Sequence, residues 1–286
     1  MKIKITADST CDLSPELITR YNVGIMPLHV TLGEDDYLDG VTIQPQAIYD
    51  YYTANKALPK SGCRTEEEYY EFFKGFLDDG FDAVVHYDIS AEMSASYSNA
   101  LLASKRLKNV FVVDSRSLST GTGLLVLDAC DMVCKGMSPE KIVERSEKRI
   151  PYVQASFIID KLEFLYRGGR CSSLVYLGAN LLQIKPCIVV KDGAMGVGSK
   201  PMGKYTRCID KYIAEIKKTY TNPDKTRVFV THTKMDEGLA EKVVNEVKSW
   251  NIFDEVLETT AGCTVTTHCG SNTIGILFIN DGGSVD

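Results

Sequence analysis

Four serines lie in the short segment DISAEMSASYSNA, residues 88–100, where an apolar stretch gives way to a predicted helix. The first turn of a helix has backbone N–H groups without partners and a partial positive charge, so hydroxyls placed there can join them in binding a carboxylate or a phosphate. Serine is also a preferred N-cap residue, and the same pattern fits an ordinary helix start. The segment therefore indicates either an anion site or a capped helix. The four serines are Ser90, Ser94, Ser96 and Ser98.

A second segment, LPKSGCRTEEE at residues 58–68, has the same character. Ser61, Gly62 and Thr65 stand at the entrance of another predicted helix, and Thr65 has the capping-box spacing to a glutamate three residues later. Where two such helices follow strands of one parallel sheet, their first turns lie along the same edge. The two hydroxyl-bearing segments are thus predicted to converge on one carboxylate or phosphate.

Two later segments add cations and an imidazole. In YRGGRCSSL, Arg167 and Arg170 flank a glycine pair, which fits either forked donors for an oxyanion or exposed arginines at a helix end. In TTHCGSNTIGILF, His268 precedes Gly270 and a predicted strand. A lone histidine is more often structural than functional, but a histidine in a loop beside glycine can reach a ligand.

Several motifs of well-known enzymes are missing from the sequence. It contains no G-x-x-x-x-G-K-[ST], no G-x-S-x-G and no H-E-x-x-H. The four histidines have no metal-binding spacing, so neither a metal nor another cofactor is predicted. No nucleophile stands beside an evident base in the sequence. These absences favour a binding protein over an enzyme.

The composition is that of a globular protein with a large core: of 286 residues, 44% are apolar and 24% are charged. The net charge of -6 argues against general binding to nucleic acid or to an anionic membrane. No stretch approaches the roughly 20 apolar residues that span a bilayer, and the N-terminus lacks the apolar core of a signal peptide. We therefore expect a cytoplasmic protein with no integral membrane segment.

Strands and helices alternate through the first half of the chain, which is typical of a parallel sheet covered by helices on both faces. Three predicted strands end in polar clusters, at Asp8, Asp88 and Asp114. Ligands of open α/β sheets bind at this carboxyl edge. The second half is rich in strands, and KDGAMG, residues 191–196, has the residues of a hairpin turn.

The predicted fold is therefore α/β with two domains. Residues 1–153 form an N-terminal three-layer domain with a parallel sheet, which supplies the anion-binding segments. Residues 154–286 form a C-terminal α+β domain with a largely antiparallel sheet. The boundary is placed near RIPYVQAS, where Pro151 breaks the preceding helix.

From its first strand to its last, the chain resembles the DegV family of bacterial fatty-acid-binding proteins. ADSTCDLSPEL is similar to the family's D-S-x-x-D-L motif, SGCRT falls where the family has T-S-Q-P-[ST], and ISAEMSASYSNA falls on I-S-S-x-L-S-G-T-Y-x-S-A. Four later stretches match further blocks of the family. They are VDSRSLSTGTGLLV, LYRGGRCSS, NLLQIKPCIVVKDG and THCGSNTIGI.

The resemblance implies that a long-chain fatty acid of roughly C14 to C18, such as palmitate, is held between the two domains. Family members bind the carboxylate with one hydroxyl from each of two loops, which correspond here to Ser61 and Ser94. The arginine of the Gly-Gly-Arg motif corresponds to Arg170, and the histidine of the H-x-G motif to His268. The remaining predicted ligand-binding residues belong to the same two loops and are Gly62, Thr65 and Ala95.

The resemblance also implies a partner, the catalytic subunit of a fatty acid kinase, which phosphorylates the carboxylate that this protein presents. The carrier itself then performs no chemistry. An alternative from the residues alone is a serine/histidine enzyme acting on an acyl or phosphate ester, with His268 as the base. That alternative requires His268 within hydrogen-bonding reach of Ser61 or Ser94, in an open cleft that admits water.

Overall fold

A computed structural model of the chain describes residues 1–174 and 184–283. The family-like stretch NLLQ, residues 180–183, lies outside the described residues. The strands are β1 (Ile3–Asp8), β2 (Gly24–Met26), β3 (His29–Leu32), β4 (Asp35–Leu38), β5 (Lys60–Gly62), β6 (Ala83–Asp88), β7 (Val110–Asp114), β8 (Val153–Gln154), β9 (Ser156–Ile159), β10 (Cys187–Lys191), β11 (Ala194–Val197), β12 (Arg227–His232), β13 (Glu255–Thr260) and β14 (Thr273–Ile279). The α-helices are α1 (Pro15–Arg20), α2 (Pro45–Asn55), α3 (Glu66–Asp78), α4 (Ser96–Ser104), α5 (Thr120–Cys134), α6 (Pro139–Arg149), α7 (Glu163–Gly168), α8 (Tyr205–Thr219), α9 (Glu237–Ser249) and α10 (Cys263–Cys269).

The N-terminal sheet is parallel, with strand order β2-β1-β6-β7. Successive residues of a strand point to opposite faces, and β6 shows this clearly. Val84 packs in the cluster formed by α3 and α4, whereas Val85 packs with α5 and α6. The predicted three-layer arrangement is therefore confirmed.

The C-terminal sheet has strand order β11-β10-β9-β14-β12-β13, and β8 pairs with β14. Its pairings are antiparallel except the one between β12 and β13. The hairpin predicted at residues 191–196 connects β10 and β11, with Asp192 and Gly193 both at positive φ. The largely antiparallel sheet predicted for this half is thus confirmed.

Helix α5 joins the two sheets through one apolar cluster. Leu124 and Leu125 of α5 share this cluster with Val85 of β6 and with Phe229 and Leu277 of β12 and β14. The two halves of the chain are therefore held together by a common core on the α5 side. The boundary between residues 153 and 154 stays a prediction.

Short-range side-chain contacts begin two of the helices, and the one at Thr65 confirms the predicted capping box. The side chain of Ser14 accepts the backbone N–H of Leu17 at the start of α1. Thr65 and Glu68 form the reciprocal capping box that begins α3. Such signals depend on residues three positions apart, so they can be read directly from the sequence.

A small antiparallel sheet, with order β4-β3-β5, was not expected from the sequence. Ser61 lies on β5 and pairs with Val30 of β3, whereas the sequence analysis places Ser61 in a loop at a helix entrance. A three-residue strand is fixed by its pairing partner far away in the chain, and local periodicity does not reveal it. Because of this pairing, the backbone at Ser61 is held in place.

Within the described residues, no helix is long and apolar enough to cross a membrane.

Candidate ligand-binding site

A cavity of about 590 Å³ lies between the two halves of the chain. This volume includes space that is open to solvent. Most of its wall is apolar, and a smaller set of hydroxyl, imidazole and guanidinium groups joins it. The described residues that line it are Thr10, Leu28, Ser61, Gly62, Cys63, Ile89, Met93, Ser94, Leu118, Arg170, Met195, Thr264, Val265, His268 and Cys269.

Ser61 and His268 bring two distant parts of the chain into contact in the wall of this cavity. Ser61 lies on β5 and His268 lies on α10, and Ser61 Oγ is 2.8 Å from His268 Nε2. Burial, together with the positive charge of Arg170, lowers the pKa of His268 to about 4. The imidazole is therefore neutral at physiological pH.

The proton of the neutral His268 ring is best placed on Nε2. Its other nitrogen, Nδ1, is buried and has no hydrogen-bond partner among the described residues. A Cβ added at Gly168 would lie only 2.5 Å from Nδ1. Buried N–H groups without partners are rarer than buried acceptors without partners. His268 Nε2–H therefore donates to Ser61 Oγ, and the proton of the Ser61 hydroxyl is left to donate to a ligand.

The lowered pKa of His268 predicts a pH dependence of stability. Between pH 6.5 and about 4 the unfolded chain takes up a proton at His268 that the folded protein does not. The contribution of the neutral His268 side chain to the free energy of unfolding is therefore complete above pH 6.5 and is lost as the pH falls towards 4. We expect the difference in unfolding free energy between the wild type and His268→Gln to shrink by the order of 2–3 kcal/mol over this interval.

Chemical denaturation of both proteins at several pH values measures this difference. The effects of the other titrating groups are the same in both proteins, so they cancel when the two free energies are subtracted. A difference that does not change with pH would show that His268 titrates as it does in the unfolded chain.

The four serines that follow β6 have different surroundings. Ser90 is buried and donates to the backbone oxygen of Gly193, 2.7 Å away, so it ties this loop to the β10–β11 hairpin. Ser94 lines the cavity, accepts the backbone N–H of Ser96 at 3.2 Å and lies 2.9 Å from the Ser96 hydroxyl. Ser98 is exposed. Ser94 thus holds the first residue of α4 and is the serine of this group that lines the cavity.

The other predicted binding residues divide into two pairs. Arg170 and Gly62 line the cavity together with Ser61, Ser94 and His268. Thr65 and Ala95 are not among its lining residues. The Thr65 side chain is engaged in the capping box, and Ala95 is the exposed N-cap residue of α4. The structure therefore places these two beside the binding loops rather than in the cavity wall.

The start of α10 is held by two acidic residues from the N-terminal half that the sequence analysis did not identify as site residues. Asp39 accepts the backbone N–H groups of Cys263 at 2.7 Å and of Thr264 at 3.0 Å. Asp12 accepts the backbone N–H of Gly262 at 2.8 Å. Because α10 carries His268, we call Asp12 and Asp39 the α10 clamp. These contacts span more than two hundred residues, and only the position of Asp12 in the D-S-x-x-D-L motif could have pointed to one of them.

The clamp residues are buried, and each also binds a serine. Ser119 donates to Asp12 at 2.5 Å, and Ser9 donates to Asp39 at 3.0 Å. Burial raises the pKa of Asp12 to about 8. The Asp12 carboxyl therefore takes up a proton at a higher pH than an exposed aspartate does.

The apolar wall also went unrecognised in the sequence analysis, because its members are ordinary core residue types. Met93, Leu118, Met195 and Cys269 belong to a buried cluster that continues into the C-terminal sheet. A neighbouring cavity of about 330 Å³ shares Leu118, Val265 and Cys269 with the first. A second, mostly apolar cavity therefore lies next to the first, on the other side of these three residues.

No group of three or more His, Cys, Asp or Glu side chains that could hold a metal ion is found within residues 1–174 and 184–283.

Comparison with known proteins gives matches along nearly the whole chain. The family model described as "Uncharacterised protein, DegV family" matches residues 2–281. A DegV domain-containing protein of Caldanaerobacter subterraneus subsp. tengcongensis is 31% identical over 279 residues, which cover 97% of this chain and 98% of that protein.

Solved structures agree with these matches. A DegV family protein from Thermus thermophilus, described by its fatty acid binding, superimposes with a TM-score of 0.90 at 26% identity, covering 98% of this chain and 100% of that one. A stearic acid-binding protein from Eubacterium ventriosum superimposes with a TM-score of 0.84 at 27% identity, covering 99% and 100% of the two chains.

Proposed function

This chain belongs to the DegV family, and we propose that it binds a long-chain fatty acid of roughly C14 to C18, such as palmitate, in the cavity that contains Ser61 and His268. The observation that carries the proposal is a neutral hydroxyl–imidazole pair, with a contact of 2.8 Å, in the wall of a mostly apolar cavity. The similarity to proteins described as binding fatty acids supports the same ligand class.

The apolar wall accounts for the affinity. Each buried methylene contributes about 0.8 kcal/mol, so an acyl chain of about sixteen carbons gains on the order of 10 kcal/mol before ordering costs are subtracted. The methionine side chains of Met93 and Met195 are flexible and adapt to the shape of an acyl chain. The neighbouring cavity beyond Leu118 is proposed to receive the end of a longer chain when the residues between the two cavities move aside.

The polar groups account for the orientation of the ligand. A carboxylate buried without partners is strongly unfavourable, and hydroxyl donors satisfy it without a full opposite charge. Ser61 and Ser94 are proposed to donate to it, with Arg170 at the cavity wall adding a positive charge. Gly62 is proposed to contribute its backbone. Ala95 and Thr65 are proposed to shape the two loops, Ala95 as the N-cap residue of α4 and Thr65 through its capping box.

Native mass spectrometry of the purified protein, followed by extraction of bound lipid, tests the proposal. We expect a bound mass equal to that of a saturated or unsaturated fatty acid of this size. Ser94→Ala should weaken the binding of added stearate, whereas Ser98→Ala, in the same segment but exposed, should not. A protein that is purified empty and takes up no added fatty acid would contradict the proposal.

We further propose that this protein is cytoplasmic and that it presents the carboxylate to a separate fatty acid kinase. The exposed side chains of Arg167, Arg170 and Lys200 offer positive charge to such a partner or to its nucleotide. Stearate-loaded protein should yield an acyl phosphate, trapped with hydroxylamine, when both ATP and a fatty acid kinase catalytic subunit are added. Formation of the acyl phosphate with ATP alone would contradict the proposal that a separate kinase catalyses the phosphorylation.

The Ser61–His268 contact meets one requirement of the serine/histidine enzyme alternative. A general base works best when its pKa is near the working pH, and the pKa of His268 is about 4. Among the described residues, no acidic group orients Nδ1 of the ring. The related proteins are described as fatty-acid-binding proteins and not as enzymes. The contact is therefore interpreted as a way to orient the Ser61 hydroxyl.

A further inference from the structure

Thr264 is a polar residue in the cavity wall that neither the sequence analysis nor the proposed carboxylate contacts include. It is the second residue of α10, and only 6% of its surface is exposed. Its hydroxyl oxygen is buried and has no hydrogen-bond partner among the described residues. Thr264 lines the same cavity as Ser61 and His268.

The helix places Thr264 on the ligand side of α10. Thr264 and His268 are four residues apart, so they lie on one face of the helix with their Cβ atoms about 6 Å from each other. The backbone N–H of Thr264 is held by Asp39 of the α10 clamp. The backbone of Thr264 is therefore held in place relative to Asp39 before any ligand binds.

Other threonines of α10 show that this arrangement is not a general property of the helix. The hydroxyl of Thr266 donates to the backbone oxygen of Ala261 at 3.3 Å. Thr267 is also buried with an unpartnered hydroxyl, but it is not among the residues that line the cavity. Thr264 thus combines a buried, unpartnered hydroxyl with a place in the cavity wall, so that a rotation about its Cα–Cβ bond brings the hydroxyl towards a ligand.

We propose that Thr264 is a third hydroxyl contact to the ligand, donating to the carboxylate that Ser61 and Ser94 also bind. The inference rests on the proposed fatty-acid binding and adds a residue to its site. A hydroxyl buried without a partner is unfavourable in the empty protein. A carboxylate oxygen provides that partner, and a hydrogen bond to a charged group is stronger than one between neutral groups.

This proposal predicts opposite effects on stability and on binding. Thr264→Val removes the unpartnered hydroxyl with little change of shape, so the empty protein should be as stable as the wild type or melt about 1–3 °C higher. Its Kd for stearate should rise about ten-fold, because a hydrogen bond to a carboxylate is lost. Thr264→Ser, which keeps the hydroxyl, should bind stearate within about two-fold of the wild type.

Thr267→Val is the matched control, since it removes an unpartnered hydroxyl of the same helix outside the cavity. It should match Thr264→Val in stability and leave the Kd for stearate unchanged. Stearyl alcohol has the same chain without the charge. The fold-increase in Kd caused by Thr264→Val should therefore be at least three-fold smaller for stearyl alcohol than for stearate.

Two results would overturn the inference. One is an unchanged Kd for stearate in Thr264→Val. The other is an equal loss of affinity for stearate and stearyl alcohol, which would show that Thr264 only shapes the cavity wall and does not bind the carboxylate. A wild-type protein that does not bind stearate at all would instead defeat the proposed function, so the two failures can be told apart.

Discussion

Replacing Gly168 with alanine is expected to lower the affinity for stearate by about ten-fold to a hundred-fold. A Cβ at this position would lie 2.5 Å from Nδ1 of His268. The ring must then move, and the 2.8 Å contact between His268 Nε2 and Ser61 Oγ is broken. The Ser61 hydroxyl loses the donor that orients it, so its hydrogen bond to the carboxylate weakens.

Stability is also expected to fall, because the buried His268 ring must move and a partly buried hydrogen bond is lost at a cost of about 1–3 kcal/mol. Gly168 is the last residue of α7, so the preference of helices for alanine over glycine, about 1 kcal/mol, offsets only part of this cost. Gly75→Ala is the matched control: it is also a helical glycine, and a Cβ there would meet no atom within 4 Å. Isothermal titration with stearate and thermal melting of both variants provide the comparison. If Gly168→Ala binds stearate as the wild type does, the contact between His268 and Ser61 does not contribute to binding.

The fold was largely predictable because its signals are local. The alternation of strands and helices predicts the parallel sheet, and the capping box at Thr65 predicts the start of α3. The turn residues at Asp192 and Gly193 predict the hairpin between β10 and β11. Each of these features is set by residues within a few positions of one another, so one sequence contains the information.

The geometry of the site was less predictable because it depends on contacts between distant residues. The hydroxyl and imidazole groups were identified by type and by resemblance, but their contact joins residues 207 positions apart. Similarly, Asp39 is an unremarkable acidic residue after β4 until α10 is placed against it. Thr65 shows the reverse case, since its hydroxyl suggests a ligand contact while the capping box already uses it. Residue type indicates what chemistry is available, and tertiary packing decides which groups are free to perform it.

The α10 clamp gives the second large expected effect, through Asp39→Asn. The Asp39 carboxylate accepts three hydrogen bonds, from the backbone N–H groups of Cys263 and Thr264 and from the hydroxyl of Ser9. Asparagine has one oxygen, and its NH₂ group would face at least one of these donors. A buried donor without a partner costs about 1–3 kcal/mol, and bonds to a charged acceptor are also lost. We expect the free energy of unfolding to fall by about 3 kcal/mol.

Binding should fall as well, because α10 carries both Thr264 and His268 into the cavity. The clamp residues come from the N-terminal half of the chain, which also supplies Ser61. By holding α10, Asp39 therefore keeps the His268 imidazole next to the Ser61 hydroxyl. The matched control is Asp35→Asn, on the neighbouring strand β4, where the side chain is exposed. Urea unfolding of the empty proteins and titration with stearate, under conditions where both variants remain folded, separate the two effects. If Asp39→Asn is destabilised but binds stearate with wild-type affinity, other contacts position α10, and the clamp serves stability alone.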